Sequence, residues 1–191
     1  MIQYGAMKSN DIVADARVSQ MRELKRSLAE VKERLARAES DLSLLVAHFS
    51  LGMAALHDFE GLPDGAEFRI IDGWNAILRH RNVSKLSSED ISGLKKEYLA
   101  GLGISAAERD EVGPSPVRTW IVFDGKVANS FRSGSFRVTY TGGCGAHRAD
   151  RMILDFVNAA RTLGLDVTRI AVETADRDLC RRLSAAGVKI V

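Results

Sequence analysis

Four aspartates in the second two-thirds of the chain stand where acids can do chemistry. Asp72 directly follows an apolar run, Phe68 to Ile71. Asp124 directly follows another, Trp120 to Phe123, and Asp176 comes just after a third around Ile170 to Val172. If these runs are parallel strands, ligands bind outside their carboxyl ends. Neighbouring strands are ~4.8 Å apart, so acids at that edge lie within several Å of one another. Like charges that close are costly unless a cation neutralises them. Oxygen ligands with no Cys or His cluster favour a hard ion, Mg²⁺ or Mn²⁺. Asp150 is the fourth acid. It sits in the first turn of a helix whose apolar residues include Ile153, Phe156, Val157 and Ala160. Ile153 and Val157 follow it at helical spacing, so Asp150 is expected to face the sheet. Asp155 is rotated off that face and is expected to be solvated.

Each acid also has a plainer reading. Asp72-Gly73 and Asp124-Gly125 fit turns. Asp176 fits the N-cap of the last helix, and Asp150 complements its own helix dipole. Turn and cap chemistry does not require four acids to meet at one sheet edge.

The elements that must position these residues are read from patterning. Strands are expected at Phe68 to Ile71, Trp120 to Phe123, Phe136 to Tyr140, around Ile170 to Val172, and at Val188 to Val191. Trp120 to Phe123 is apolar throughout, as a strand covered on both faces should be. Helices are expected from near Trp74, after the Ser87-Ser88-Glu89-Asp90 cap signal, from about His147 to Leu163, and from about Asp176 to Ala186. Gly164 and Gly187 are the stops of the last two. Gly101 to Arg118, with Gly113, Pro114 and Pro116, reads as a loop. Strand–helix alternation implies an α/β, doubly wound, mainly parallel sheet.

The first third differs. Apolar residues fall at Met21, Leu24, Leu28, Val31, Leu35, Ala38, Leu42, Leu45 and Phe49, in steps of three and four. That is a heptad seam. Charged residues fill the other faces, and Glu30–Arg34 and Glu33–Arg37 have the acid four residues ahead, the favourable order. No Gly or Pro interrupts Asp11 to Leu51. A helix this regular buries its seam against a second copy, giving a homodimeric coiled coil in which Arg34 and Glu39 pair between parallel chains, or against its own domain. The breaker cluster Gly61-Leu62-Pro63-Asp64-Gly65 marks a boundary. The organisation expected is a coiled-coil helix over 1–60 and a domain over 66–191.

With 191 residues, 46% hydrophobic and 27% charged, the chain suits one domain plus an extension. No apolar run approaches the ~20 residues that span a bilayer. No basic-then-apolar leader opens the chain. Two cysteines, Cys144 and Cys180, are too few for a disulfide framework, so a cytoplasmic chain with reduced thiols is expected. The net charge of +2 is uninformative by itself.

Ile70-Ile71-Asp72-Gly73-Trp74-Asn75 resembles the opening strand and turn of NYN domains, particularly the YacP-like branch, within the PIN-like nuclease superfamily. The resemblance continues through Val122-Phe123-Asp124-Gly125, Gly143-Cys144-Gly145-Ala146-His147-Arg148-Ala149-Asp150 and Glu173-Thr174-Ala175-Asp176-Arg177-Asp178. It spans 66–191 and leaves out the coiled coil. It implies a three-layer α/β/α fold with strand order 3-2-1-4-5, and metal-dependent cleavage of RNA. By the same resemblance Asp72, Asp150 and Asp176 would be metal carboxylates, and Asn75 would orient a phosphate or carboxylate. Asp124 would be an auxiliary acid, Asp178 an outer group or helix cap, and Thr174 would line the site. Similar sequences often carry a second acid after the aspartate of the Ala-Asp motif; here that position is Arg151.

Basic residues gather near these motifs: Arg79, His80, Arg81 and Lys85; Lys126, Arg132 and Arg137; Arg148 and Arg151; Arg177, Arg181 and Arg182. Cations around an acidic centre suit a phosphodiester backbone, although they also read as ordinary solvated charges. The segment Gly125 to Gly134 reads as a flexible loop that grips a strand. Trp74 could stack on a base or lie in the core. His80 and His147 read as rim residues. The functional expectation is a metal-dependent ribonuclease that dimerises through its helix. The competing expectation is an inactive RNA-binding or scaffold protein, favoured by Arg151. A toprim-type enzyme is disfavoured because Asp72 stands where a glutamate is needed, and a receiver domain because paired acids after the first strand are missing.

Overall fold

The computed structural model describes residues 5–79, 88–104, 115–143 and 145–191. His80, Arg81, Lys85, Ser87, Cys144 and residues 105–114, most of the expected Gly101 to Arg118 loop, lie outside the described residues. The chain divides into two compact units, Met1–Ser43 and Leu44–Val191.

Helix α1, Gly5–Glu60, supplies the described part of the first unit and continues into the second. The heptad residues from Met21 to Phe49 are exposed. Its outer face carries ion pairs of helical spacing, Arg37 with Glu33, and Arg26 with Glu30 at 3.8 Å. Glu30 thus pairs one turn back rather than with Arg34.

The last turns of α1 belong to the second unit, because Ala55, Leu56 and Phe59 are buried in its core. The division between the two compact units falls within α1, at Ser43/Leu44. Against the expectation of no bilayer-length apolar stretch, α1 contains between Arg17 and Glu60 an 18-residue window of mean hydropathy 1.3. Part of that apolarity is core apolarity. Phe59 packs on Phe68, with ring centroids 5.4 Å apart, and Asp58 forms a buried ion pair with Arg137.

The second unit holds a six-stranded sheet: β1 Phe68–Asp72, β2 Thr119–Phe123, β3 Ala128–Ser133, β4 Phe136–Thr141, β5 Ile170–Glu173 and β6 Lys189–Ile190. Their spatial order is β3-β4-β2-β1-β5-β6. Among the described residues all pairings are parallel except β3 with β4. A five-stranded sheet of order 3-2-1-4-5 does not describe this arrangement. The segment expected to be a flexible gripping loop contains β3, an edge strand held by its antiparallel ladder to β4. With β3 set aside, the remaining strands run β4-β2-β1-β5-β6. The chain winds outward from β1 on one side, then returns to place β5 on its other side. The switch point is the crevice between β1 and β5.

Period-two alternation sends side chains to both faces. Phe68, Ile70, Trp120, Val122, Ile170 and Val172 meet the end of α1, helix α4 (Arg148–Thr162) and helix α5 (Arg177–Ala185). Ile71, Ile121, Phe123 and Val138 face the other way, onto α2 (Gly73–Leu78) and α3 (Ser88–Gly101). The α4 stripe Ala149, Met152, Ile153, Phe156, Val157 and Ala160 is wholly buried, as its spacing requires.

Gly73 has a specific reason to be glycine. A Cβ there would overlap the ring of Phe123, which is itself buried between Trp74, Tyr98 and Tyr140. Gly73→Ala is expected to cost about 1–3 kcal/mol through overpacking. Urea unfolding of the two proteins measures it; equal midpoints would mean that the ring yields freely.

Candidate metal centre

The site grows from the ends of β1, β2 and β5. Asp72, the last residue of β1, is the N-cap of α2 and accepts a hydrogen bond from the Asn75 backbone N–H at 3.3 Å. The Asn75 amide donates to Asp72 Oδ2 and also to Thr174 Oγ1 at 3.2 Å. The Thr174 hydroxyl, just past β5, donates to Asp72 Oδ2 at 3.2 Å and accepts from the Asp176 N–H at 3.2 Å. A polar clasp therefore joins β1 to the β5–α5 turn across the switch point. Asp176 Oδ1 caps α5 by accepting from the N–H groups of Asp178 and Leu179, both at 2.8 Å.

The start of α4 is built differently. His147 occupies the N-cap position with φ 62°, a left-handed conformation rare for residues with a Cβ, and its side chain makes no cap. Asp124 supplies the cap from the end of β2, accepting from the Ala149 N–H at 2.8 Å and from the Thr141 hydroxyl at 3.4 Å. The His147 imidazole is left to meet Asp150, with Nδ1 2.9 Å from Oδ2.

His147, Asp150 and Asp176 each offer a ligand atom, all within 4.8 Å of one another. They line a cleft of about 480 Å³ whose walls also carry Arg151, Asp178 and Arg182. These three side chains could together hold a small divalent ion. Asp176 keeps Oδ2 and Asp150 keeps Oδ1 outside the hydrogen bonds described. The two carboxylate oxygens suit Mg²⁺ or Mn²⁺, whereas the imidazole nitrogen suits a softer ion than Mg²⁺.

Sequence and structure differ in which residues they bring together. Asp150 and Asp176 meet as expected, but the third member of the trio is His147, read earlier as a rim residue. Asp72 lies outside that group and is 3% exposed. Asn75 orients a carboxylate, that of Asp72, and Thr174 sits between the two strands. Asp124 serves as a helix cap. Asp178 is exposed and paired with Arg181 at 2.9 Å. Asp155, expected to be solvated, contacts His48 at 3.0 Å while remaining mostly exposed.

The basic rim divides. Arg151 lines the cleft, Arg177 is exposed in the first turn of α5, and Arg79 and Lys126 are exposed. Arg148 packs its guanidinium on Gly143. Arg132 is displaced from the rim. It pairs across the hairpin with Arg137, near the start of β4, so both lie towards the opposite end of the sheet. Arg137 is committed to Asp58 and Ser130. Lys95 of α3 carried no signal in the sequence. Its ammonium lies 4.8 Å from the centroid of the Trp74 ring, 5.6 Å from that of Phe123 and 5.4 Å from that of Tyr140, and donates to the Asp124 carbonyl. Trp74 is thus part of the core edge, with its ring face covered by a cation.

Electrostatics follow from these surroundings. Burial pushes the Asp72 carboxyl above the usual carboxylate range, with the nearby charge of Asp150 adding to it and the bonds from Asn75 and Thr174 opposing it. The hydrogen bond to Asp150 and the charges of Asp150, Asp176 and Asp124 hold the His147 imidazole above its ordinary value. Burial lowers the Lys95 ammonium, opposed by Asp124.

Comparison with protein-family models, curated proteins and solved structures finds no match for the chain.

The Asp72 shift has a signed consequence. Its folded pKa exceeds the unfolded one, so ionisation penalises the fold. That penalty is absent at pH below the ordinary value of 3.8 and complete above the folded pKa. Asp72→Asn escapes it, whatever fixed cost the lost cap imposes. The difference in Tm, variant minus parent, should therefore become more positive as pH rises from about 3 to about 7 in EDTA. A flat difference in calorimetry would contradict a penalised Asp72.

Proposed function

We propose that the chain is a metal-dependent ribonuclease that hydrolyses RNA phosphodiester bonds. The observation that carries this reading is the meeting of Asp150, Asp176 and His147 within 4.8 Å, in a cleft beside the switch point of a mainly parallel sheet. Ligands of such sheets bind there. The order and spacing of the NYN-like motifs around these residues support the same reading, under which the α/β domain is a three-layer PIN-like one.

Asp150 and Asp176 would hold the ion, with His147 as a nitrogen ligand or as the group that orients Asp150. Asp72, buried below them, would set the field at the floor of the site, and Asn75 and Thr174 fix its carboxylate. A divalent ion bound there would lower the pKa of the water it carries and offset charge developing on the phosphate. On this reading Arg151 and Arg182, which line the cleft, and Arg177 would position the phosphodiester backbone.

A second reading has specific support. Arg151 follows Asp150 where similar sequences often carry an acid, and the His147 imidazole already engages that carboxylate. An RNA-binding scaffold needs nothing more.

Labelled single-stranded RNA of mixed sequence, incubated with Mn²⁺ or Mg²⁺, separates the two. Cleavage should fall about a hundredfold or more in Asp150→Asn and Asp176→Asn with circular dichroism unchanged. Equal cleavage by parent and variants would assign the activity to a contaminant. RNA binding without cleavage would establish the scaffold.

A further inference from the structure

The apolar stripe of α1 is a docking surface, and the helix itself states what fits it. In heptad notation the a positions are Met21, Leu28, Leu35, Leu42 and Phe49, and the d positions are Leu24, Val31, Ala38 and Leu45. The large residues of this stripe are each more than half exposed. The same phase continues through Gly52 to Leu56 and Phe59, and there the domain core covers it. The uncovered seam therefore ends at Phe49. A stripe of this length on one helix marks an interaction site.

The charges beside the seam favour one partner. Ions on the outer face are paired within the helix, Arg26 with Glu30 and Arg37 with Glu33. Among the described residues, Lys32, Arg34, Glu39 and Asp41 have no ion-pair partner in their own chain, and all four flank the seam at e and g positions. Their signs are polarised, basic in the N-terminal half and acidic in the C-terminal half. A second copy running the other way offers the complement.

We infer that α1 pairs with a second copy of itself in an antiparallel coiled coil. Layers of a against d then match Leu24 with Phe49, Leu28 with Leu45, Val31 with Leu42 and Leu35 with Ala38. Exposed seam meets exposed seam from Leu24 to Phe49, and Met21 falls opposite Gly52. The small Ala38 lies opposite a leucine, where a parallel pair would put alanine against alanine. Flanking contacts run e to e and g to g, joining Lys32 to Glu39 and Arg34 to Asp41, each twice. A parallel pair joins only Arg34 to Glu39.

The unmodified chain, by light scattering, should have the mass of a dimer. Spin labels on Glu23→Cys, with both native cysteines replaced by serine, should lie about 40 Å apart, since the paired positions are offset by about 27 residues at 1.5 Å each. A parallel dimer puts them under about 25 Å, the interaxial distance plus two tethers. Lys32→Glu alone should weaken the dimer at least tenfold, and adding Glu39→Lys should restore it. Neither residue has a charged neighbour three or four positions away on its own helix. In a parallel pair Lys32→Glu changes nothing and Glu39→Lys is not rescued. A monomeric mass, a short label distance, or recovery of the chain on phosphatidylcholine vesicles as a monomer would each overturn the antiparallel pair. The experiment is independent of cleavage, so failure of the ribonuclease reading leaves it intact.

Discussion

A carboxylate at the end of a buried parallel strand cannot stand alone, and the arrangement around Asp72 follows from that constraint. The strand end offers little water, so hydrogen bonds must replace it. They come from Asn75, one turn into α2, and from Thr174, at the end of the neighbouring strand. Because Thr174 also accepts from the Asp176 N–H, the group that satisfies Asp72 fixes the turn that presents Asp176. One hydroxyl thus couples the buried acid to the cleft acid. Asp150 arrives from a separate helix, whose start is set by Asp124 at the end of β2. Three strand ends therefore cooperate in bringing two cleft carboxylates and one imidazole together.

Negative charge at this edge is balanced in graded fashion. Burial disfavours the charged form of Asp72, which hydrogen bonds from Asn75 and Thr174 partly offset, and Asp150 meets the imidazole of His147. Asp176 is engaged by two helix N–H groups and by the start of α5, where the dipole favours an anion. Asp124 is drawn off to cap α4. The acids resemble one another in sequence, but their environments assign them different tasks.

Much of this was legible because it depends on local pattern. The apolar runs of β1, β2 and β5, the helical stripe of α4 and the cap role of Asp176 each follow from spacing or residue type. What escaped depends on partners distant in sequence. Ala128–Ser133 has the small and polar residues of a loop, and it is a strand because β4 supplies its ladder. Arg132 and Arg137 look like rim residues until register places them towards the far end of the sheet. His147 gained its role from a left-handed backbone that aims the ring at Asp150, which no residue type announces. Lys95 met its three aromatic neighbours only through packing of α3. Leu56 and Phe59 share the heptad phase of the seam, so pattern alone could not separate the part of α1 that faces outward from the part that enters the core.

The sheet ends at β3 on one side and β6 on the other, and both borders are poor templates for another strand. β6 is two residues long, with Lys189 tied to Glu67. β3 carries Arg132 and is flanked closely by glycine turns. Short or charged borders of this kind discourage recruitment of further backbone. Growth by edge-to-edge stacking, the route by which sheet proteins become fibres, is thus blocked at both margins.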